Sequence, residues 1–235
     1  MPRSRLLFLY SPLAAIYVIP MRVDHIIIFS NNQGSEADEL VSFGLIEGSN
    51  RIHQGQGTRN RKFFFENFFL EIVWVNNECE ITNELTSPTR LWERSNYKTT
   101  GSSPFGLCLQ NTEDINTLFE GCLKYQPTYL PEDMSFEIIT NEENSHLPWT
   151  CRLPSISDKN KISEPINHPV GIRNLTNIKF GIRDIDYQDR FVEFLSTNSK
   201  IVFENYEDHH LTLEFDSKKF GSIKKFGSMQ LTIEY

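Results

Sequence analysis

Phe-Phe-Leu-Glu-Ile-Val-Trp-Val (68–75) and Val-Asp-His-Ile-Ile-Ile-Phe (23–29) decide how this chain is read, because each is an apolar run of strand length that holds one ionisable residue inside it. Side chains at i and i+2 share a face of a strand. Glu71 therefore lies between Phe69 and Val73, and His25 between Val23 and Ile27. Neither face suits water. Burying an unpaired carboxylate is strongly unfavourable even after the protein relaxes, so Glu71 needs a cation or a cluster of donors. His25 can supply the first, or a metal ion can hold both.

Outward from these runs, the chain reads as a strand at 22–30, a short helix over Ser35 to Phe43, a strand near 45–52, and strands at 61–66 and 68–75. That is one β-α-β-β-β unit. Ser35 with Asp38 gives a loose capping signal, and Gly44 stands where a helix end favours a residue free to take positive φ. A polar connector with a helical turn over Ser87 to Arg94 leads to a second unit. There a strand from Pro104 to Gln110 and a helix from Glu113 to Tyr125 precede strands near 135–140 and 147–153. The stretch from Pro154 to Pro169 is polar and reads as a long loop. A third pass has a strand from Leu175 to Ile182, a helix from Asp186 to Leu195, and strands near 200–205, 210–215 and 228–234. Recurrence of this order at intervals of about 70 to 80 residues implies an α+β protein of repeated modules around a shared cleft.

The 235 residues are enough to bury a substantial core. A formal charge of −8, with both signs mixed along the chain, argues against a nucleic-acid surface. Eighteen Phe, eight Tyr and three Trp, many of them in strand-like runs, favour sheets with aromatic-lined interiors and a small-molecule cavity. The four cysteines (Cys79, Cys108, Cys122 and Cys151) form no Cys-x-x-Cys, so reduced thiols and a cytoplasmic location are the simplest expectation. Residues 1–20, where Arg3 and Arg5 precede an apolar stretch broken by Pro12, read as an extension ahead of Met21 or as a weak signal-like segment. No membrane span is expected.

His-Gln-Gly-Gln-Gly-Thr-Arg-Asn (53–60), running into Phe63-Phe64-Phe65 and then Phe69-Leu70-Glu71-Ile72, together with Asp24-His25, resembles the glyoxalase-like branch of the vicinal oxygen chelate superfamily. Ser-Pro-Phe-Gly-Leu (103–107) and His-Pro-Val-Gly (168–171) fit the same family, so the resemblance spans about 22–182. It implies paired glyoxalase-like modules over 21–153, a loop over 154–171, and a third β-α-β module over 172–235 packed on the same domain. It places His25 and Glu71 on the family's first-strand and fourth-strand ligand positions, and so implies one divalent metal ion there. The second unit offers no matching His or Glu beyond Glu164, which leaves the metal open. The activity implied is that of a lyase or isomerase acting on a small organic molecule, assisted by a metal or by proton transfer through His25 and Glu71. The alternative is a non-catalytic small-molecule binding or resistance protein. Modules of this fold often dimerise, which makes a homodimer one expected arrangement.

The loop at Gly55 and Gly57 precedes a strand and not a helix, so it reads as a tight turn and not as a phosphate cradle. His53, Thr58, Asn60 and Arg61 then become candidate ligand contacts at the cleft rim. Arg59, Lys62, Arg90 and Arg94 are further cations that could attract a carboxylate or phosphate group. Glu214 repeats the Leu-Glu pattern of Glu71. Its flanks, Thr212 and Asp216, mark a wet face. His209 and His210 point to opposite faces of a strand and cannot share one ion.

Overall fold

The computed structural model of the protein describes residues 22–154 and 164–235. The extension over residues 1–20 lies outside the described residues. The first unit runs β1 (Val23–Phe29), α1 (Ala37–Phe43), β2 (Arg51–His53), β3 (Thr58–Phe64) and β4 (Phe69–Val75). Gly44 ends α1 at φ 105°, with its N–H on the carbonyls of the last turn. A connector follows with α2 (Glu78–Ile81), α3 (Leu91–Ser95) and α4 (Tyr97–Thr100). The second unit runs β5 (Phe105–Leu109), a 3-10 stretch over Glu113–Phe119, β6 (Leu123–Tyr125), β7 (Phe136–Ile139) and β8 (Trp149–Arg152).

These strands form one eight-stranded curled sheet in the order β2-β3-β4-β1-β5-β8-β7-β6. In each unit the first strand pairs in parallel with the last, β1 with β4 and β5 with β8. The units join through the antiparallel pair β1 and β5. This is the α+β architecture of paired β-α-β-β-β modules expected from the sequence. The helix expected over Glu113 to Tyr125 is shorter and tighter. Gly121 takes φ 75° just past the 3-10 stretch, and Leu123–Tyr125 pairs with β7 as a strand instead.

The remaining elements are β9 (Leu175–Ile182), α5 (Arg190–Asn198), β10 (Ile201–Asn205), β11 (His210–Phe215), β12 (Ile223–Phe226) and β13 (Leu231–Glu234). They form a second, five-stranded sheet in the order β10-β9-β11-β13-β12. It repeats the first sheet's plan in shortened form. A central antiparallel pair, β9 and β11, is flanked by one parallel partner on each side, β10 and β13. Helix α5 starts later than the expected Asp186 because the Asp189 side chain accepts from the N–H groups of Phe191 and Val192, which makes it the N-cap.

The main core lies between the sheets. Ile26, Ile28, Leu70 and Ile72 from the first sheet share it with Phe180, Leu211, Phe215 and Ile233 from the second. The opposite, concave face of the first sheet carries a separate apolar cluster that includes Ile27, Phe29, Val73, Ile138 and Trp149. β1 and β4 are thus covered on both sides, which explains their nearly unbroken apolar sequence.

One expectation is corrected here. Cys108 and Cys151 are direct partners in the β5 and β8 register and are joined by a disulfide, so the cysteines are not all free thiols. Forty-three residues separate them, and only strand pairing brings them together. Cys79 and Cys122 remain free. Among the described residues, no helix is long and apolar enough to cross a membrane.

Candidate functional site

The concave face of the eight-stranded sheet encloses a cavity of about 210 Å³ whose walls include His25, Glu71, His53, Asn60, Tyr129 and Trp149. Strand register sets its floor in rows. One row runs Phe64, Phe69, His25, Cys108, Cys151 and Ile138 through successive paired strands. The next runs Lys62, Glu71, Ile27, Gly106 and Trp149. His25 and Glu71 are therefore diagonal neighbours on adjacent parallel strands.

Their side chains meet. His25 Nε2 lies 3.3 Å from Glu71 Oε2, and the residues are only 9% and 6% exposed, so the contact is shielded from water. On its other side, His25 Nδ1 lies 2.8 Å from Asp24 Oδ2. Adjacent strand residues normally point to opposite faces. Here the β1 and β5 register shifts between Val23 and His25, and a bulge of this kind re-aims a side chain. The imidazole is thus bracketed by two carboxylates, and the Phe69 ring stacks on it at 4.4 Å.

Glu71 Oε1 accepts a hydrogen bond from the Asn60 side-chain amide. That amide also reaches His53 Nε2 at 3.4 Å, while Asn60 Oδ1 accepts from the Arg51 backbone N–H at 2.6 Å. Every polar atom of Asn60 is engaged, which fixes its orientation. The network continues from His53 Nδ1 to Thr58 Oγ1, from there to Gln56 Nε2, and from Gln56 Oε1 to the Tyr129 hydroxyl, each at 2.8 Å. Burial pushes the His53 pKa down, partly opposed by the Glu71 charge, and favours its neutral form. Burial likewise pushes the Tyr129 hydroxyl up, so it stays protonated and donates to Gln56.

The turn that carries Gln56 needs its glycine. Gly57 takes φ 78°, and a Cβ there would sit 2.4 Å from the Asn77 carbonyl oxygen and 2.5 Å from the Ile81 nitrogen. The β2–β3 hairpin therefore docks directly on α2, and the connector adds Ile81 and Leu91 to the apolar cluster on this face, with Leu91 lining the cleft.

Of the residues singled out in the sequence, His25, His53, Asn60 and Glu71 converge on the cavity, with Thr58 fully buried just behind His53. Arg61 does not join them. It lies on the opposite face of β3 and is held by Glu47 at 2.6 Å and Asp38 at 2.7 Å. Alternation along β3 already separates residue 61 from 58 and 60, and the cation on their face is Lys62. Glu164 bonds the Ser49 N–H at 3.0 Å and the Ser49 hydroxyl at 2.5 Å, and does not line the cavity. His168 accepts from the Ile46 N–H and donates to the Phe64 carbonyl, a structural tie outside the cleft. Arg94 is buried and donates to the carbonyls of Thr140, Ser145 and Leu147, which fixes the β7–β8 turn. Arg90 pairs with Glu93 and Glu142. Glu214 bonds Thr176 and Lys218 on the second sheet. His209 contacts His146, whereas His210 contacts Thr232, so the adjacent pair diverges. The sequence reading assigned no site role to Asp24, Arg51 or Tyr129, and named Lys62 only as one of several cations that could attract an anionic group. Period-two alternation from Asn60 singles out Lys62 from those cations as the one facing the cleft, while Tyr129 arrives on a loop that no local pattern places.

The donor set does not fit the divalent metal site that the sequence resemblance implies. His25 and Glu71 supply two groups, and Glu71 Oε1 is already taken by Asn60. The strands of the second unit present a disulfide, Gly106 and Trp149 where further ligands would stand. Among the described residues, no group of three or more His, Cys, Asp or Glu could hold a metal ion. A wider hollow of about 630 Å³ beside β9 and α5, with Gln110, Asn177 and Lys200 in its lining, has among the described residues no imidazole and only Glu66 as a carboxylate. It lacks the convergent groups that mark a reactive site.

No protein-family model matches the chain, and no curated protein matches it. Among solved structures, a hypothetical protein from Staphylococcus aureus aligns with 91% of this chain and 99% of its own, at 11% identity and a TM-score of 0.59. A xylose isomerase-like TIM barrel/4-hydroxyphenylpyruvate dioxygenase fusion protein aligns over 85% of this chain and 37% of its own, at 9% identity and a TM-score of 0.49. A mutant 4-hydroxymandelate synthase from Streptomyces coelicolor aligns over 91% and 62%, at 9% identity and a TM-score of 0.40. The likeness to the Staphylococcus aureus protein is one of fold, and this chain's own strand order and pairing are those of paired β-α-β-β-β modules curled around a cleft, a fold of the vicinal oxygen chelate type.

Proposed function

We propose that the protein binds a small organic molecule in the concave cleft and moves a proton on it without a metal, as a lyase or isomerase does, with Glu71 as the base and His25 as its partner. The observation that carries this reading is the buried Asp24–His25–Glu71 array. A carboxylate held by an imidazole and by the Asn60 amide, against an aromatic wall, is positioned to take a proton from a carbon beside a carbonyl. The C–H pair becomes the C=C bond of an enolate as the carbonyl π pair moves to oxygen, and Glu71 returns the proton to the same carbon, which restores the carbonyl. No further reactant is needed. His25 orients Glu71 and spreads the transferred proton toward Asp24.

The test is solvent deuterium incorporation into 4-phenyl-2-butanone and 2-oxo-4-phenylbutyrate, followed by NMR in D2O with metal chelated. Glu71→Gln should lower protein-dependent exchange by about a hundredfold or more, within the range of general base catalysis. Exchange that is equal in wild type and Glu71→Gln would rule the proposal out.

A further inference from the structure

Two cations stand on the wall that carries Glu71. Lys62 is the direct register partner of Glu71, yet the pair makes no ion pair, because Glu71 is engaged by His25 and Asn60. The Lys62 Nζ instead lies over the rings of Phe64 and Phe69, at 5.2 and 5.8 Å from their centroids. The Arg51 guanidinium lies over the Tyr129 ring at 4.6 Å. Both residues line the cavity, and among the described residues neither has a carboxylate within ion-pair distance. Other cations near the cleft are neutralised, Arg61 by Asp38 and Glu47 and Arg152 by Glu137. In a chain of net charge −8, two unpaired cations at one cavity are a selective feature.

The facing wall is apolar. Trp149, Phe136, Ile138 and the Cys108–Cys151 disulfide present neither carboxylate nor imidazole. The cleft is therefore polar and cationic on one side and greasy on the other. Its volume of about 210 Å³ lies below the 300 to 1,000 Å³ usual for drug-sized ligands.

We propose that the ligand is a small organic monocarboxylate whose carboxylate sits between Lys62 and Arg51 and whose apolar body lies on the wall of the second unit. Glu71 and Asp24 are engaged by His25 and, for Glu71, by Asn60, so Lys62 and Arg51 remain available to a ligand carboxylate. The assignment rests on the proton-transfer reading only for where the reacting carbon sits, next to Glu71.

The experiment is calorimetric titration of the full chain with the matched probes 2-oxo-4-phenylbutyrate and 4-phenyl-2-butanone, which differ in the carboxylate. The acid should bind at least about tenfold more tightly. Lys62→Gln and Arg51→Gln should each remove most of that preference and leave ketone binding unchanged, and Lys62→Arg should restore it. Both side chains reach solvent, so thermal melts of these variants should match wild type. Equal binding of acid and ketone, or a preference that survives in the double variant, overturns the proposal. Failure of the two readings is separable. An acid preference that persists in Glu71→Gln, with no Glu71-dependent exchange, rejects proton transfer and supports the carboxylate site. Glu71-dependent exchange without acid preference does the reverse.

Discussion

Along the row of side chains that faces the cleft, the first half of the eight-stranded sheet presents Phe64, Phe69 and His25, and across the β1 and β5 junction the same row continues as Cys108, Cys151 and Ile138. The backbone plan of the two halves is the same, with the first strand parallel to the last in each. Their chemistry is not. The first half gathers two imidazoles, a carboxylate, amides and two cations, whereas the second presents a covalent crosslink and aromatic bulk. A repeated fold thus supplies one reactive wall and one rigid binding wall. That division gives a ligand a direction, with its polar end toward β3 and β4 and its apolar end toward β7 and β8.

If the crosslink is what holds the second wall, breaking it should have the largest effect on stability. Replacing both Cys108 and Cys151 with Ala should cost about 2 to 4 kcal/mol, the range expected when a disulfide closes a loop of this length. Urea unfolding reads this directly. Dithiothreitol should destabilise wild type by a similar amount and leave the double variant unchanged; an unaffected wild type would remove the crosslink from the comparison. On the first wall, His25→Ala leaves Glu71 buried with Asn60 as its remaining partner. A cost of about 2 kcal/mol is expected from losing a hydrogen bond to a buried charge. Glu71→Gln should cost less, because an amide can still pair with both neighbours. If His25→Ala were neutral, the pair would have no structural weight.

The smallest expected effect is on pH dependence. The pKa values of His53, His168 and His209 lie below the ordinary imidazole value, chiefly through burial, with His209 pushed down to about 4. A lowered pKa means that the unfolded chain takes up protons first as pH falls. Stability from these groups is complete above about pH 6.5 and is lost as pH drops toward their folded pKa values. Melting temperature should therefore fall between pH 6.5 and 4. His168→Gln should flatten part of that slope, since protonated His168 could no longer accept from the Ile46 N–H. His53→Gln should do the same on the reactive wall. No change in slope for either variant would place the acid sensitivity elsewhere.

Much of the candidate site was legible because it lies on strands. Alternation put His25 and Glu71 on apolar faces, and His53 and Thr58 flank the expected tight turn, in which Gly55 and Gly57 both take positive φ. The same rule, applied strictly, excludes Arg61 and selects Lys62. Asp24 was hidden because a bulge reverses the direction its strand position implies, and Tyr129 because a loop of the second unit carries it across to the first. The connection from Glu113 to Tyr125 misled because its apolar spacing suits a helix, yet its end pairs better as a strand.

The sequence by itself determined the order of elements, the two buried ionisable residues and the aromatic character of the cleft, since period-two patterning and the cost of burying charge act locally. The partners were decided only by tertiary structure. Register between strands far apart in the chain joined Cys108 to Cys151 and, among the described residues, withheld from His25 and Glu71 any matching ligands in the second unit and left Lys62 and Arg51 without ion-paired carboxylates. These outcomes depend on which residues meet across the sheet, and pairing over such separations is fixed by the packing of the whole fold and not by any short stretch of it.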